Sequence, residues 1–164
     1  MMDLDALGFR NDPHPSDAEI IHEIVSSSGF FSPAEIDIAL ELLHERIAKG
    51  ESSGYYFLFA EAEGTVIGYA CFGPIPCTLT SFDLYWIAVS PDLRGSGAGR
   101  RIIAEVEAEI RRMGGTRIYV ETSSRELYLP TRGFYSKCGY EEEAVFKDFY
   151  APGDNKVVFL KVLQ

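Results

Sequence analysis

The sequence predicts one α/β domain over residues 1–164, and three observations support this class. The length is close to the usual size of a single domain, and 46% of the residues are hydrophobic, which is enough to build a core. Apolar residues alternate in some segments, as in strands, and recur at helical spacing in others. Clusters of Gly, Pro and Ser separate these segments and mark the turns between them.

The N-terminal third is predicted to hold a short strand and two helices. The strand is expected over 6–11. Helices are expected after Ser16 and Ser32, because each of these serines opens a capping-box pattern with Glu three residues later. Pro33 suits the first position of the second helix, and Gly50 ends that helix.

The middle of the chain predicts three strands in a row, over 55–61, 65–72 and 78–89. A turn at 63–64 makes the first two strands an antiparallel hairpin. The third strand is rich in aromatic and β-branched residues, and Pro91 marks its end.

The C-terminal part begins with an amphipathic helix that ends at Gly114, followed by a strand over 117–122. A last pair of strands is expected over 140–146 and 157–163. The connection between them, 147–156, is long for a hairpin, so we expect it to form the wall of a pocket.

A loop almost without side chains joins the third middle strand to the amphipathic helix. It is the run Arg-Gly-Ser-Gly-Ala-Gly at 94–99. The first turn of a helix leaves backbone N–H groups unpaired, and glycines let an anion approach them without Cβ clashes. We therefore expect a pyrophosphate on this loop, while a plain tight connection is the alternative. The residues predicted to bind it are Arg94, Gly95, Ser96, Gly97, Ala98, Gly99 and Arg100.

The loop also carries the pattern Arg-x-x-Gly-x-Gly, formed by Arg94, Gly97 and Gly99, after a strand that ends at Val89. This pattern resembles the coenzyme A motif of the GNAT superfamily of acyl-CoA-dependent N-acyltransferases. In that family the motif lies between the fourth strand and the third helix. The resemblance implies acetyl-CoA as the cofactor.

A second segment supports the same resemblance. Residues 131–140, which include Tyr135, are similar to the family's signature of a helix followed by a strand. The family often has Asn seven residues before this tyrosine, whereas this chain departs from the pattern with Tyr128. The resemblance implies the GNAT fold, a mixed and mostly antiparallel sheet of about seven strands flanked by four helices, in the order β-α-α-β-β-β-α-β-α-β-β.

Asp83 is the predicted general base. An amine with a pKa of about 10.4 is mostly protonated at neutral pH and must lose a proton before it attacks. Asp83 is an acid on an otherwise apolar and aromatic strand, at a position where several members of the resembled family carry a catalytic glutamate. An aspartate of ordinary pKa, about 3.9, is a weak base, so we expect a bridging water. A carboxylate that pairs with a neighbouring strand's hydroxyl or arginine is the alternative.

Tyr135 is the predicted general acid for the departing thiolate. A phenol with a pKa of about 10 stays protonated at neutral pH and can protonate a thiolate whose conjugate acid has a pKa of about 8.5. The resemblance places this tyrosine beside the thioester sulfur, and a core tyrosine is the alternative. The backbone N–H groups of Ile87, Ala88 and Val89 are candidates to bind the cofactor, and the oxyanion if a bulge exposes them.

Four residues are candidates to bind the acceptor. Phe31 lies in a loop that commonly borders the acceptor pocket in the resembled family, although a hydrophobic staple for the second helix explains it equally well. Tyr85 could contact an acceptor by stacking or through its hydroxyl, and Glu121 is a further acid that could face the site. Tyr150 belongs to the expected pocket wall.

The charge distribution limits the partners. The net charge of −10 argues against nucleic acid, whose backbone requires clustered Lys and Arg. Residues 1–93 carry 3 Lys and Arg against 15 Asp and Glu, whereas residues 94–164 carry 12 against 10. The less acidic part holds the expected phosphate site, and the acidic part favours a cationic acceptor, although acidic residues that only solvate the surface are an equal alternative.

Other classes of protein are not expected. The sequence has no apolar stretch typical of a membrane span and no secretory signal pattern, so we expect a cytoplasmic protein without a membrane partner. The cysteines form no close pair and the histidines no metal-spaced cluster, so we expect neither a disulfide framework nor a metal. A homodimer is expected from the family resemblance alone.

Together, these observations predict an N-acetyltransferase that moves an acetyl group from acetyl-CoA to a primary amine of a small molecule, by direct attack in a ternary complex. Two alternatives stay open. The acceptor could be a protein N-terminus or a lysine, or the chain could be a non-catalytic acyl-CoA-binding module with a regulatory role.

Overall fold

The computed structural model describes residues 2–164 and contains, in that range, seven strands and four α-helices. In chain order they are β1 (Gly8–Arg10), α1 (Asp17–Ser27), α2 (Pro33–Lys49), β2 (Tyr56–Ala62), β3 (Thr65–Pro74), β4 (Ser81–Val89), α3 (Ala98–Arg112), β5 (Arg117–Ser123), α4 (Leu129–Lys137), β6 (Glu141–Ala151) and β7 (Asp154–Val162). The strand order in the sheet is β1-β2-β3-β4-β5-β7-β6. The sheet is mixed and mostly antiparallel, so the predicted fold is confirmed.

The chain divides into two compact units. The first unit contains the residues up to Gly73 together with Trp86–Ala108, and the second contains Pro74–Tyr85 together with Glu109–Gln164. Strand β4 therefore contributes its first half to the second unit and its last half to the first.

The core of the first unit forms between helices α1 and α2 and strands β2 and β3. The rings of Phe57, Phe59 and Tyr69 stack, with centroids 5.9, 6.1 and 6.3 Å apart. The buried residues of this core are Ile21, Val25, Ala39, Leu43, Phe57, Phe59, Tyr69 and Cys71. The apolar stripe of the second helix therefore packs into the core rather than forming a binding face.

Helix α2 begins with the predicted capping box, whereas helix α1 does not. The Glu35 N–H donates to Ser32 Oγ at 3.3 Å, and the Ser32 N–H donates to a Glu35 carboxylate oxygen at 2.7 Å. Ser16 makes no such bond. Instead, the buried Asp17 carboxylate accepts from a backbone N–H at 2.6 Å and from the Arg10 guanidinium at 2.8 and 2.9 Å. That N–H belongs to His14, which precedes the helix, so the Asp17 carboxylate ties the turn before α1 to strand β1 and caps no N–H of the helix itself.

Close packing positions the first turns of helix α3 within the first unit. A Cβ on Gly68 of strand β3 would lie 2.7 Å from Ile102 Cδ1 of α3 and 2.9 Å from the Ala88 carbonyl oxygen of β4. Only glycine leaves room for this approach. The glycine therefore lets the helix that follows the loop at 94–99 lie directly against the sheet.

The connection between β6 and β7 is not the long loop that the sequence predicts. Strand β6 continues to Ala151, and β7 begins at Asp154 after a two-residue turn. The register shifts between Phe146 and Ala151, and Asp148 adopts a φ of +52° in this bulged stretch. The Asp148 carboxylate accepts from the Gly153 N–H at 2.7 Å. The polar residues that suggest a loop therefore form a bulge inside a longer hairpin.

Two strands are shorter than predicted, because local turns replace their first residues. Residues Leu4–Ala6 form a 3₁₀ turn, and Asp3 caps it through a bond from the Asp5 N–H at 3.0 Å. Before β4, Thr78 donates to the Ile75 carbonyl through its N–H at 3.3 Å and its hydroxyl at 2.8 Å. In these turns, backbone N–H and C=O groups form local hydrogen bonds, so they are not available to pair with a neighbouring strand.

Candidate active site

The glycine-rich loop of the first unit uses some of its own groups to shape a turn. Gly95 and Gly97 have φ values of +76° and +98°, which residues with a Cβ rarely adopt. The Leu93 carbonyl accepts from the Ser96 N–H at 3.2 Å and from the Ser96 hydroxyl at 2.6 Å. The same hydroxyl accepts from the Ala98 N–H at 3.2 Å. Two of the amides expected to bind an anion are therefore engaged by the loop itself.

The three glycine amides of the loop remain available. The N–H groups of Gly95, Gly97 and Gly99 donate to no acceptor among residues 2–164. Helical bonding starts where the Arg101 N–H donates to the Gly97 carbonyl at 3.2 Å, and Arg94 is exposed at the start of the loop. A diphosphate could accept from these amides at the positive end of helix α3. The loop is chemically suited to that ligand, and its role stays a prediction.

Tyr135 lies on helix α4 of the second unit, where it is only 6% exposed. Its ring centroid is 5.8 Å from those of Tyr140 and Phe159, and 5.4 Å from that of Phe134. Burial raises the pKa of the Tyr135 phenol above its ordinary value, so the phenol stays protonated at neutral pH. Within residues 2–164 its hydroxyl makes no hydrogen bond. The ring contributes to the core, while the hydroxyl is left able to donate.

A cavity of about 340 Å³ opens on one face of the sheet in the second unit. Asp83 on β4 lies opposite Tyr119 on the parallel strand β5, and Glu121 on β5 lies opposite Val158 on the antiparallel strand β7. Because side chains alternate along a strand, these four residues face the same side. We term this cavity the acidic cavity. Its lining residues are Ile75, Thr78, Ser81, Asp83, Tyr119, Glu121 and Val158.

The Asp83 carboxylate is unpaired in this cavity. It makes no hydrogen bond or ion pair with any residue from 2 to 164, which excludes the alternative of a hydroxyl or arginine partner. Partial burial raises its pKa from 3.8 to about 6, the negative charge of Glu121 adds to the rise, and the positive charge of Lys156 opposes it. The ordinary aspartate pKa expected from the sequence is therefore wrong. Asp83 is a stronger base than an ordinary aspartate and is still mostly ionised at neutral pH.

Lys156 on β7 forms an ion pair with Glu121, so its charge is already engaged. Its Nζ lies 3.4 Å from a Glu121 carboxylate oxygen. The same atom lies 4.0 Å from the ring centroid of Phe149 and 5.0 Å from that of Phe146. The side chain is only 14% exposed. The aromatic rings and the carboxylate together hold this cation in place.

The structure places the other predicted acceptor residues differently. Glu121 lines the acidic cavity, whereas Tyr85 and Tyr150 do not. Tyr85 is 37% exposed, and Tyr150 is an exposed residue of β6 whose ring meets that of Phe149 edge-on at 5.1 Å. Their roles stay predictions.

The remaining predicted residues of the site lie in the first unit. The ring centroid of Phe31 is 4.7 Å from that of Trp86, and Phe31 packs with Ile36 against the buried core, as a hydrophobic staple would. Residues 87–89 are half-buried at the end of β4, and Arg100 is exposed in the first turn of α3. Their binding roles also stay predictions.

The residues of the second unit that were not predicted from the sequence include Ser81, Val158 and Lys156. Ser81 could have been found, because it lies two residues before Asp83 and so shares its face. Val158 and Lys156 could not, because the register of β7 against β5 decides which of its residues reach Glu121.

Comparison with known proteins identifies the family. Residues 18–140, well over half of the chain, match the Acetyltransferase (GNAT) family. The chain belongs to the acetyltransferase (GNAT) family. The predicted GNAT resemblance and the assignment as an acyltransferase enzyme are therefore confirmed.

Three proteins illustrate what this GNAT acetyltransferase is similar to. A solved structure of a GNAT-family protein from Desulfovibrio desulfuricans is 43% identical, with a TM-score of 0.94 and coverage of 97% of this chain and 100% of that chain. A crystal structure of aminoglycoside 6′-N-acetyltransferase complexed with coenzyme A is 18% identical, with a TM-score of 0.77 and coverage of 95% and 96%. An amino-acid acetyltransferase from Ralstonia nicotianae is 29% identical over 102 residues, which are 62% of this chain but only 22% of that protein.

Residues 2–164 of this GNAT acetyltransferase include no helix with both the length and the apolar character that crossing a membrane requires. No three His, Cys, Asp or Glu side chains come together in the same range in a way that could hold a metal ion.

Proposed function

We propose that this GNAT acetyltransferase moves an acetyl group from acetyl-CoA to a primary amine of a small molecule, by direct attack of the amine on the thioester. The observation that carries the proposal is the unpaired, partly buried Asp83 carboxylate, with its pKa of about 6. Burying a charge without a partner costs folding free energy, and such a cost is typical of functional sites. A module that only binds an acyl-CoA would gain nothing from it.

The base step follows from the charges of the acidic cavity. An amine arrives mostly as an ammonium ion, and the carboxylates of Asp83 and Glu121 favour its approach. At neutral pH Asp83 is mostly ionised and can accept a proton. Its raised pKa lies closer than that of an ordinary aspartate to the ammonium pKa of about 10.4, so proton transfer is less unfavourable. The amine that has lost its proton carries the lone pair that attacks.

The loop at 94–99 is proposed to hold the diphosphate of acetyl-CoA. The unengaged amides of Gly95, Gly97 and Gly99 and the exposed Arg94 supply donors and positive charge for it. The aminoglycoside enzyme, which shares the fold and is complexed with coenzyme A, supports this choice of cofactor. When bound, acetyl-CoA supplies an acetyl thioester that an amine can attack.

Tyr135 is proposed to stabilise the departing thiolate. Because burial raises its pKa, the phenol is a weaker acid than an ordinary tyrosine, and complete proton transfer to a thiolate is unfavourable. A hydrogen bond from the neutral hydroxyl to the developing negative charge needs no such transfer. The role that the burial supports best is therefore hydrogen-bond donation.

Thiol release tests the proposal. The wild-type protein should release free thiol from acetyl-CoA only when a primary amine is present. Asp83→Asn keeps the side-chain shape and removes the base, so kcat/KM should fall about 10²–10⁴-fold.

Asp37→Asn, the same change on the exposed face of α2, is the control and should keep the full rate. Thermal stabilisation by coenzyme A without amine-dependent thiol release would contradict the enzyme proposal and favour the binding module.

A further inference from the structure

The charged side chains that line the acidic cavity are all negative. Two of its lining side chains, Asp83 and Glu121, are carboxylates, and none of the lining side chains is a cation. The other lining residues offer hydroxyls or apolar surface. An ammonium group therefore finds partners in the cavity, whereas a carboxylate finds repulsion.

Two cations on the same face of the sheet, Lys156 and Arg117, offset this negative charge only in part. Lys156 is held by Glu121 at 3.4 Å and by two aromatic rings, so it is already engaged. Arg117 lies two residues before Tyr119 on strand β5 and is exposed, but it does not line the cavity. A carboxylate placed next to the reacting amine would therefore meet the unpaired carboxylate of Asp83, and the carboxylate of Glu121 that Lys156 pairs with, before it met a free cation.

We propose that the acidic cavity selects amines that carry no carboxylate beside the amino group and rejects the α-amino acids that correspond to them. This inference rests on the proposed function, because it assumes that the amine loses its proton to Asp83. An α-carboxylate is separated from its amine by a single carbon, so it would be drawn into the cavity together with the amine. The α-carboxylate would lose its hydrating water molecules and would be repelled by the carboxylates that line the cavity.

The inference departs from what the name of one relative suggests. The Ralstonia nicotianae protein is an amino-acid acetyltransferase, but this chain matches only 22% of it at 29% identity. The fold and the cofactor chemistry can be shared over such a segment while the acceptor side differs, because acceptor recognition depends on a few side chains. Here those side chains carry negative charge.

Matched pairs of acceptors test the inference. Tyramine and tyrosine, and histamine and histidine, each differ by one carboxylate, and initial rates of thiol release give kcat/KM for every compound. The decarboxylated member of each pair should be at least about 100-fold better, as expected when a binding site opposes a charge. Equal values, or a preference for the amino acids, would overturn the inference while leaving the proposed function intact.

Tyrosine methyl ester separates charge from size. The ester keeps the bulk of the amino acid but lacks its negative charge, so its kcat/KM should recover most of the difference between tyramine and tyrosine. An ester as poor as tyrosine would mean that shape rather than charge excludes the amino acid, and the inference would be wrong.

Two variants assign the effect to residues. Glu121→Gln removes one of the repelling charges, so the preference for tyramine over tyrosine should shrink about tenfold. Arg117→Ala, which changes an exposed cation outside the cavity, should leave both the tyramine rate and the preference unchanged. Good activity on amino acids that is lost in Arg117→Ala would overturn the inference and assign carboxylate recognition to Arg117. If no compound supports thiol release, the proposed function is contradicted, and the inference is overturned with it.

Discussion

The glycine loop of the first unit and the acidic cavity of the second unit offer binding groups from different parts of the chain. The loop relies on its backbone, through the amides of Gly95, Gly97 and Gly99 and the left-handed φ values of the first two. The acidic cavity relies on side chains from three strands, brought to one face by register, and from the turn before β4. A backbone site is encoded in a short continuous segment, whereas a side-chain site exists only after distant segments have paired.

This difference predicts how each region fails. A substitution in the loop acts through conformation, so almost any side chain at a left-handed glycine should be harmful. A substitution in the second unit acts through the chemistry of one group, so a variant of the same shape can remove function and leave the fold intact. The following predictions test this contrast.

Among the variants that compare the two regions, the largest effect is expected for Tyr135→Phe. The variant keeps the ring that packs on Tyr140 and Phe159 and removes only the hydroxyl. Turnover should fall about 10²–10³-fold, because one donor to the developing thiolate is lost, while coenzyme A affinity and Tm stay near the wild-type values. Steady-state kinetics and calorimetry give these quantities. An unchanged kcat would show that Tyr135 serves packing alone.

Gly97→Val should weaken coenzyme A binding more than tenfold. The left-handed φ of +98° disfavours valine, and a Cβ there lies 3.1 Å from Leu4 Cδ1, so the amides move. Gly64→Val is the matched control, since Gly64 has a φ of +79° with nothing within 4 Å and lies in the turn between β2 and β3. It should lose stability without losing coenzyme A affinity. If titration calorimetry gives the same coenzyme A affinity for Gly97→Val as for the wild type, the loop does not bind the cofactor.

Gly68→Ala should destabilise the protein by about 1–3 kcal/mol, because its Cβ would overlap Ile102 and the Ala88 carbonyl. Coenzyme A affinity should fall together with the stability if the packing of α3 on Gly68 positions the loop at 94–99. Gly133→Ala on α4 adds a Cβ that meets nothing within 4 Å, so it should be neutral or stabilising. Chemical denaturation measures both variants. A stable Gly68→Ala protein with full affinity would show that the helix adjusts without cost.

The smallest effect is a shift in the pH profile. In the wild type, kcat/KM should fall as the pH drops below about 6, because Asp83 becomes protonated. Glu121→Gln removes a like charge, so the pKa of Asp83 falls and this acidic limb moves to lower pH.

Lys156→Met removes the opposing positive charge, so the pKa rises and the acidic limb moves to higher pH. The two variants must move the limb in opposite directions. A shared direction, or no movement in either variant, would contradict Asp83 as the base.

Much of the fold could be predicted, because local signals agreed with the tertiary structure. The capping box at Ser32 forms as predicted, because both of its hydrogen bonds join residues of the same helical turn. The pattern at Ser16 does not form a capping box, because Ser16 has helical rather than extended backbone angles and its side chain makes no cap bond. The sequence predicts a loop where the structure has a bulge around Asp148, because the residue types that favour loops also occur in bulges.

The sequence by itself determined the glycine loop and the element order of this GNAT acetyltransferase, because both depend on neighbouring residues. It also identified Asp83 and Tyr135 as candidates, from an acid on an apolar strand and a tyrosine in a family signature. Only the tertiary structure decided that Asp83 has no partner, lies beside Glu121 and has a raised pKa. Burial and charge proximity come from the pairing of β4, β5 and β7, and a pattern along one strand cannot state which residues its neighbours will bring.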